Sequence, residues 1–90
     1  MKINKTDNLK VFVFLVWRYI PYEKTTEPSS TGMSIIAESK VIAMAVARRT
    51  IRELNKNQKR ARCLDRFCLE SPSNVYEEFE IKNGLVTGYF

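Results

Sequence analysis

The longest apolar stretch of the chain lies between residues 9 and 22 and consists mainly of β-branched and aromatic residues. That composition favours a strand over a helix. Both alternating sets are apolar: Val11, Val13, Leu15 and Trp17 in one, and Phe12, Phe14, Val16 and Ile20 in the other. Because successive side chains of a strand point to opposite faces, we predict one strand over 9–22 that is covered on both faces. We expect the protein's own helix on one face and a partner or second copy on the other.

A helix is predicted directly after Ser39. Residues 40–56 contain several alanines and neither Gly nor Pro, which is typical of a helix. The Ser39 hydroxyl can accept a hydrogen bond from the amides of the first turn. At 100° per residue, one apolar stripe faces a core, and its members are Ala43, Met44, Ala47, Ile51 and Leu54. We expect residues 55–60 to form the exit from this helix.

The segments around these two elements are shorter. Residues 1–8 are predicted to be a frayed lead-in, 23–31 a loop and 32–37 a short strand. The stretch 61–70 has spacing that fits either a helix or a strand. We prefer a strand, ended by Pro72, because a helix that continued through this stretch would exceed about thirty residues.

The end of the chain is predicted to be a hairpin. Residues 75–82 form one strand, with Val75, Phe79 and Ile81 inward, and 85–90 return as the last strand after a type I′ turn at Asn83 and Gly84. The predicted order is therefore β-β-α-β-β-β. This order indicates an α+β fold in which one antiparallel sheet of four to five strands carries one helix on one face. Ninety residues suit one domain over 1–90.

The residue types argue against an enzyme or a metal protein. Histidine is absent, which removes the commonest general base and metal ligand. Cys63 and Cys68 are spaced so that neither a disulfide nor a shared metal is expected, and we predict two free, mostly buried thiols in a reducing cytosol. Glu78 and Glu80 share a strand face but have no nucleophile beside them, so we interpret them as solvated. We expect no catalytic residues, no metal and no cofactor.

The strongly apolar run at 11–17 is too short to cross a bilayer, which takes about twenty residues. We therefore expect no membrane partner and a cytoplasmic protein.

Positive charge is concentrated in one segment. The chain has 15 Lys and Arg residues against 10 Asp and Glu. Eight of the 15 basic residues lie within 48–66, which contains two acids and carries a net charge of +6, whereas the remainder carries −1. This distribution indicates that an anionic partner binds at the basic segment.

The predicted helix places most of these basic residues on one face. On a helical wheel, Arg48, Arg49, Arg52 and Lys56 form a stripe beside the apolar stripe, and Lys59 and Arg60 widen it if the helix continues. Like charges at i and i+4 repel by a few tenths of a kcal/mol, which a bound anion would relieve. An ordinary solvated helix face is the alternative interpretation. The predicted partner-binding residues are Arg48, Arg49, Arg52, Lys56, Lys59 and Arg60.

One local resemblance to a known family exists. Residues 33–39, with the sequence MSIIAES, are followed by Ala43 and Ala47 in the predicted helix. A short strand, an alanine-rich helix, a strand and a hairpin in this order resemble small phage anti-CRISPR proteins of type I-F, which have an antiparallel sheet around one helix. The resemblance implies a phage protein that binds a large nucleoprotein complex, and it transfers no individual functional residue.

Two functions follow as expectations. The first is a small non-enzymatic binding protein, such as a phage-encoded inhibitor, that docks on a nucleic acid or nucleoprotein complex through its basic helix face. An acidic protein surface is a further partner of the same charge. The alternative function is a structural or assembly protein that self-associates as a homodimer through strand 9–22, with the basic face merely solvated.

Overall fold

The fold combines one helix with two antiparallel sheets in a computed structural model that describes residues 8–71, 73–82 and 85–87. The elements in chain order are β1 (Lys10–Phe14), β2 (Val16–Ile20), β3 (Thr25–Pro28), β4 (Met33–Ala37), α1 (Lys40–Arg60), β5 (Arg66–Leu69), β6 (Glu77–Lys82) and β7 (Leu85–Thr87). One sheet has the order β4-β1-β6-β7 and the other β3-β2-β5. The α+β class is confirmed, but the prediction of a single four- to five-stranded sheet, in the order β-β-α-β-β-β, is wrong.

The apolar stretch predicted as one strand is two strands separated at Leu15. β1 lies between β4 and β6 in the first sheet, and β2 lies between β3 and β5 in the second. The Leu15 carbonyl accepts a hydrogen bond from the Glu70 amide at 2.9 Å, so the junction itself is also tied to the fold. Each half of the stretch is the central strand of its own sheet. Its strand edges are therefore occupied by neighbours from within the chain.

β3 lies inside the segment that was predicted to be a loop, so that prediction is wrong over Thr25–Pro28. A four-residue turn over 21–24 folds the chain back, with a hydrogen bond from the Lys24 amide to the Pro21 carbonyl at 3.2 Å. Lys24 has a positive φ of 53°, which reverses the backbone. Pro28 is tolerated because β3 is an edge strand, where a missing N–H removes no ladder hydrogen bond.

The start of the helix is confirmed and its predicted end is wrong. The Ser39 hydroxyl accepts from the Ile42 amide at 3.3 Å, with an extended backbone at the cap. The helix continues to Arg60, so residues 55–60 belong to it rather than to an exit. None of these last residues is Gly or Pro, and most are good helix formers. Lys59 and Arg60 therefore lie on the same helix as the other basic residues.

The core lies between the helix and the first sheet. Its buried cluster consists of Phe12, Phe14, Ala37, Ala43, Met44 and Ala47. The two fully buried alanines of the helix allow it to approach the β1 phenylalanines closely. Of the predicted apolar stripe, Ile51 is also buried and Leu54 is half-buried. The core face of the helix is thus the one that the periodicity predicts.

The predictions for the second half of the chain have mixed outcomes. The preferred strand within 61–70 is confirmed as β5, and the strand within 75–82 begins at Glu77. Val75 packs against the core cluster, Ile81 is buried and Phe79 is half-buried. β7 is the last described strand. Of the predicted frayed residues 1–8, residues 1–7 lie outside the described residues, as do Pro72, the turn at Asn83 and Gly84, and residues 88–90.

The two cysteines are free thiols, as predicted. The expectation that they are mostly buried is wrong, since Cys63 is half-buried and Cys68 is exposed. Among residues 8–71, 73–82 and 85–87, no three side chains of the His, Cys, Asp and Glu types are grouped to hold a metal ion. Within the same ranges, no helix is long and apolar enough to cross a membrane.

Candidate nucleic-acid interface

The six residues predicted to bind a partner all lie on α1, and all six are exposed. They form the basic stripe, which consists of Arg48, Arg49, Arg52, Lys56, Lys59 and Arg60. The first and last members are twelve residues apart, which is about 18 Å along a helix at about 1.5 Å per residue. The helix thus brings together charges that the sequence places in one segment, along one straight element.

The sequence of the helix that carries the basic stripe contains few acidic residues. Glu53 is the only acidic residue in the sequence of α1. It accepts from Lys56 Nζ at 3.4 Å, and both side chains are more than half exposed. Exposed pairs of this type contribute about 0.3–0.5 kcal/mol, so Glu53 only partly offsets the charge of Lys56. In the first turn of α1, the exposed residues Val41 and Ile42 are apolar, so the basic stripe does not extend to that end of the helix.

Arg62 and Arg66 belong to the same charged segment but have structural contacts. Arg66 Nη1 donates to the carbonyls of Cys63 at 2.7 Å and Asp65 at 2.8 Å, which closes the connection between α1 and β5. Arg62 follows the helix with a positive φ of 58°. Its amide donates to the Lys59 carbonyl at 3.0 Å, and the Cys63 amide donates to the Gln58 carbonyl at 2.9 Å. This pair of hydrogen bonds is a Schellman motif, which ends the helix.

We expect Arg62→Gly to stabilise the protein relative to Arg62→Ala by about 1 kcal/mol, because only glycine adopts a positive φ without steric cost. Both variants remove the same charge, so their difference isolates the backbone conformation. Thermal denaturation of the two variants measures it, with an expected difference in Tm of about 4–8 °C. Equal midpoints for the two variants would contradict the assignment of Arg62 to this conformation.

Asn55 fixes the middle of the basic stripe to the second sheet. Its Nδ2 donates to the Phe67 carbonyl at 3.0 Å and its Oδ1 accepts from the Phe67 amide at 2.8 Å. The side-chain amide therefore pairs with the edge strand β5 as a neighbouring strand would. Sequence reasoning missed this residue because it assigned Asn55 to the exit. The available signal was its position on the helical wheel beside the apolar stripe.

A second cluster of charges lies on the helix side of the second sheet. Arg18 of β2 forms an ion pair with Glu27 of β3, and its Nε lies 3.9 Å from Asp65 Oδ2. The hydrogen bond to Glu27 raises the pKa of Arg18 above its ordinary value. Sequence reasoning gave Arg18 no role, although a single arginine in an apolar stretch was a signal. Because its charge is paired with acids, Arg18 does not extend the basic stripe.

Glu78 and Glu80, which were interpreted as solvated, are exposed on β6. Glu78 accepts from Lys10 Nζ at 2.8 Å, and this hydrogen bond raises the pKa of Lys10. Both partners are about 40% exposed, so the pair contributes little to stability. The arrangement is that of a surface ion pair between neighbouring strands.

Comparison of the chain with protein-family models, with curated proteins and with solved structures finds no match.

Proposed function

We propose that the protein is a non-enzymatic, cytoplasmic binding protein that docks on a nucleic acid or nucleoprotein complex through the basic stripe. The observation that carries the proposal is the set of six exposed cations on one helix that has a single acid. Exposed arginines match phosphate oxygens with two parallel hydrogen bonds, and a stripe of positive charge is the usual electrostatic footprint of nucleic-acid binding.

Stability alone does not account for this arrangement. Arg48 and Arg52, and Arg52 and Lys56, are pairs of like charges at i and i+4, each of which destabilises a helix by about 0.2–0.5 kcal/mol. The helix dipole favours cations only in the last turn, which includes Lys59 and Arg60 but not the arginines in the middle. An anion that binds along the stripe relieves this repulsion. We extend the proposal to a phage-encoded inhibitor, on the resemblance of residues 33–39 alone.

Self-association by pairing of the apolar strand is less favourable as a function. β1 and β2 each have a partner strand on both sides, so neither offers a free edge to a second copy. A homodimer would have to use a sheet face or another strand. The basic stripe is therefore the surface on which we base the function.

The proposal predicts binding that depends steeply on salt. We expect a fluorescently labelled, random-sequence nucleic acid to bind at low ionic strength, with a slope of log K against log salt of about −0.9 per phosphate contacted on a duplex. Six contacts give a slope of about −5. Fluorescence anisotropy over a salt series measures the slope. A lack of binding at low salt, or binding that salt does not weaken, would contradict the proposal.

A further inference from the structure

We infer that the partner of the basic stripe is a double-helical nucleic acid, held by its phosphates without readout of the bases. This inference rests on the proposed function and specifies its partner class. Three features of the structure carry it: the hydrogen bonds that three neutral polar side chains of the helix make within the fold, the placement of Tyr19 and Tyr76, and the anchoring of the helix along its length.

Three of the four neutral polar side chains of the helix are engaged within the fold, and the fourth, Asn57, is exposed. Asn55 uses both ends of its amide on the Phe67 backbone. Gln58 Nε2 donates to Cys63 Sγ at 3.2 Å, and the Thr50 hydroxyl donates to the Val46 carbonyl at 2.8 Å. Readout of adenine in the major groove requires a side-chain amide with both groups available. The groups that the stripe itself presents are cations, which position a protein on phosphates and of which arginine can also read guanine.

Two of the exposed tyrosines, Tyr19 and Tyr76, lie away from the basic stripe. Leu69 packs against the core on the helix side, and Val16 lies directly opposite Leu69 in the sheet, so both face the helix. Tyr19, an odd number of residues from Val16, therefore lies on the other face of that sheet. Tyr22 lies in the turn over 21–24.

Tyr76 lies towards the N-terminal end of the helix, whereas the basic stripe begins at Arg48. It is close in sequence to Asn74, whose side chain accepts from Lys40 Nζ at 2.6 Å in the first turn of α1. Proteins that bind single strands stack bases on aromatic side chains beside a basic groove. Tyr19 and Tyr76 do not supply such a platform next to the stripe. A duplex, whose bases are already stacked, has no need of one.

The helix that carries the stripe is anchored along its length. Ser39 caps its first turn, Asn55 joins it to β5, and the Schellman motif after Arg60 fixes its end. A helix backbone that is fixed over about 18 Å suits a partner whose charges are also fixed, since the backbone then loses little ordering entropy on binding. A duplex has one phosphate per strand for about every 3.4 Å of its axis, so the stripe spans about five phosphates of one strand.

The test compares four labelled probes at the same salt concentration by fluorescence anisotropy: a DNA duplex, an RNA duplex of the same sequence, and the two single strands of that DNA. We expect at least one duplex to bind about tenfold more tightly than either single strand. A preference for one duplex supports the inference and identifies the sugar of the partner. Single strands that bind as tightly as the duplexes, or more tightly, overturn the inference but leave the proposed function standing. Failure of every probe to bind overturns both.

Readout of the bases is tested separately with an A·T-only and a G·C-only duplex. Phosphate binding predicts affinities within about threefold of each other and, for Arg52→Gln, a salt slope that is smaller by about 1 on both duplexes. A strong preference for the G·C duplex that Arg52→Gln removes would show that arginine reads guanine, and would overturn this part of the inference.

Discussion

Reversing Arg48, Arg49 and Arg52 together to glutamate is expected to abolish nucleic-acid binding and to leave the protein folded. At about 0.15 M salt, each phosphate contact contributes about fivefold to the binding constant, so three lost contacts weaken binding more than a hundredfold. The new glutamates also repel the phosphates. Anisotropy with a labelled duplex measures the loss. Binding within about threefold of the unmodified protein would show that the basic stripe is only a solvated surface.

The fold should tolerate these replacements because all three arginines are exposed and none belongs to the core cluster. The effects on the helix partly cancel. Glu at 52 gains Lys56 as a favourable partner at i+4, whereas Glu at 49 lies one turn before Glu53 and is repelled. Each pair amounts to about 0.2–0.5 kcal/mol. Circular dichroism and a thermal midpoint close to that of the unmodified protein establish that any loss of binding is not caused by unfolding.

A matched pair of single variants distinguishes the effect of the basic stripe on binding from the effect of net charge. Arg52→Glu and Lys24→Glu change the net charge equally, but Lys24 lies in the turn between β2 and β3. We expect Arg52→Glu to weaken binding about fivefold or more and Lys24→Glu to change it much less. Equal losses would mean that the total charge of the protein attracts the nucleic acid and that the helix face has no special role.

The helix is the element that local sequence determined best. Its start depends on Ser39, whose cap is a contact within a few residues, and its buried face follows from the spacing of Ala43, Met44, Ala47 and Ile51. The two-sheet arrangement was not accessible in the same way. Apolar residues on both faces predict a fully covered strand, but nothing in their pattern shows that the strand is divided at Leu15 and that each half joins a different sheet. That division depends on long-range pairing with β3 to β6.

The basic stripe was predictable because it needs only helical periodicity and charge. The contacts that hold it in place were not. Arg66 and Arg62 look like further members of the charged segment, and only the loop after the helix shows that one closes a connection and the other ends the helix. Asn55 looks like a helix terminator by propensity. Its pairing with Phe67, twelve residues later, depends on where β5 lies.

Asn55→Ala is expected to destabilise the protein by about 2 kcal/mol. The replacement leaves the Phe67 amide and carbonyl without the partner that both now have, and each unpaired, partly buried group costs about 1–3 kcal/mol. The higher helix propensity of alanine offsets about 0.5 kcal/mol of this loss. A domain of this length has a total stability of about 5–13 kcal/mol, so the loss is a large part of it. Urea denaturation measures the loss.

Asn57→Ala is the matched control for Asn55→Ala, since it makes the same change of residue at an exposed position two residues further along the same helix. Only the helix propensity of the residue then changes, and we expect Asn57→Ala to leave the stability of the protein unchanged or slightly increased. In Asn55→Ala, the helix segment that carries Lys56, Lys59 and Arg60 loses its side-chain hydrogen bonds to β5, so affinity for a duplex should also fall under conditions where the variant is still folded. Equal denaturation midpoints for the two variants would show that the Asn55–Phe67 pairing does not hold the basic stripe in place.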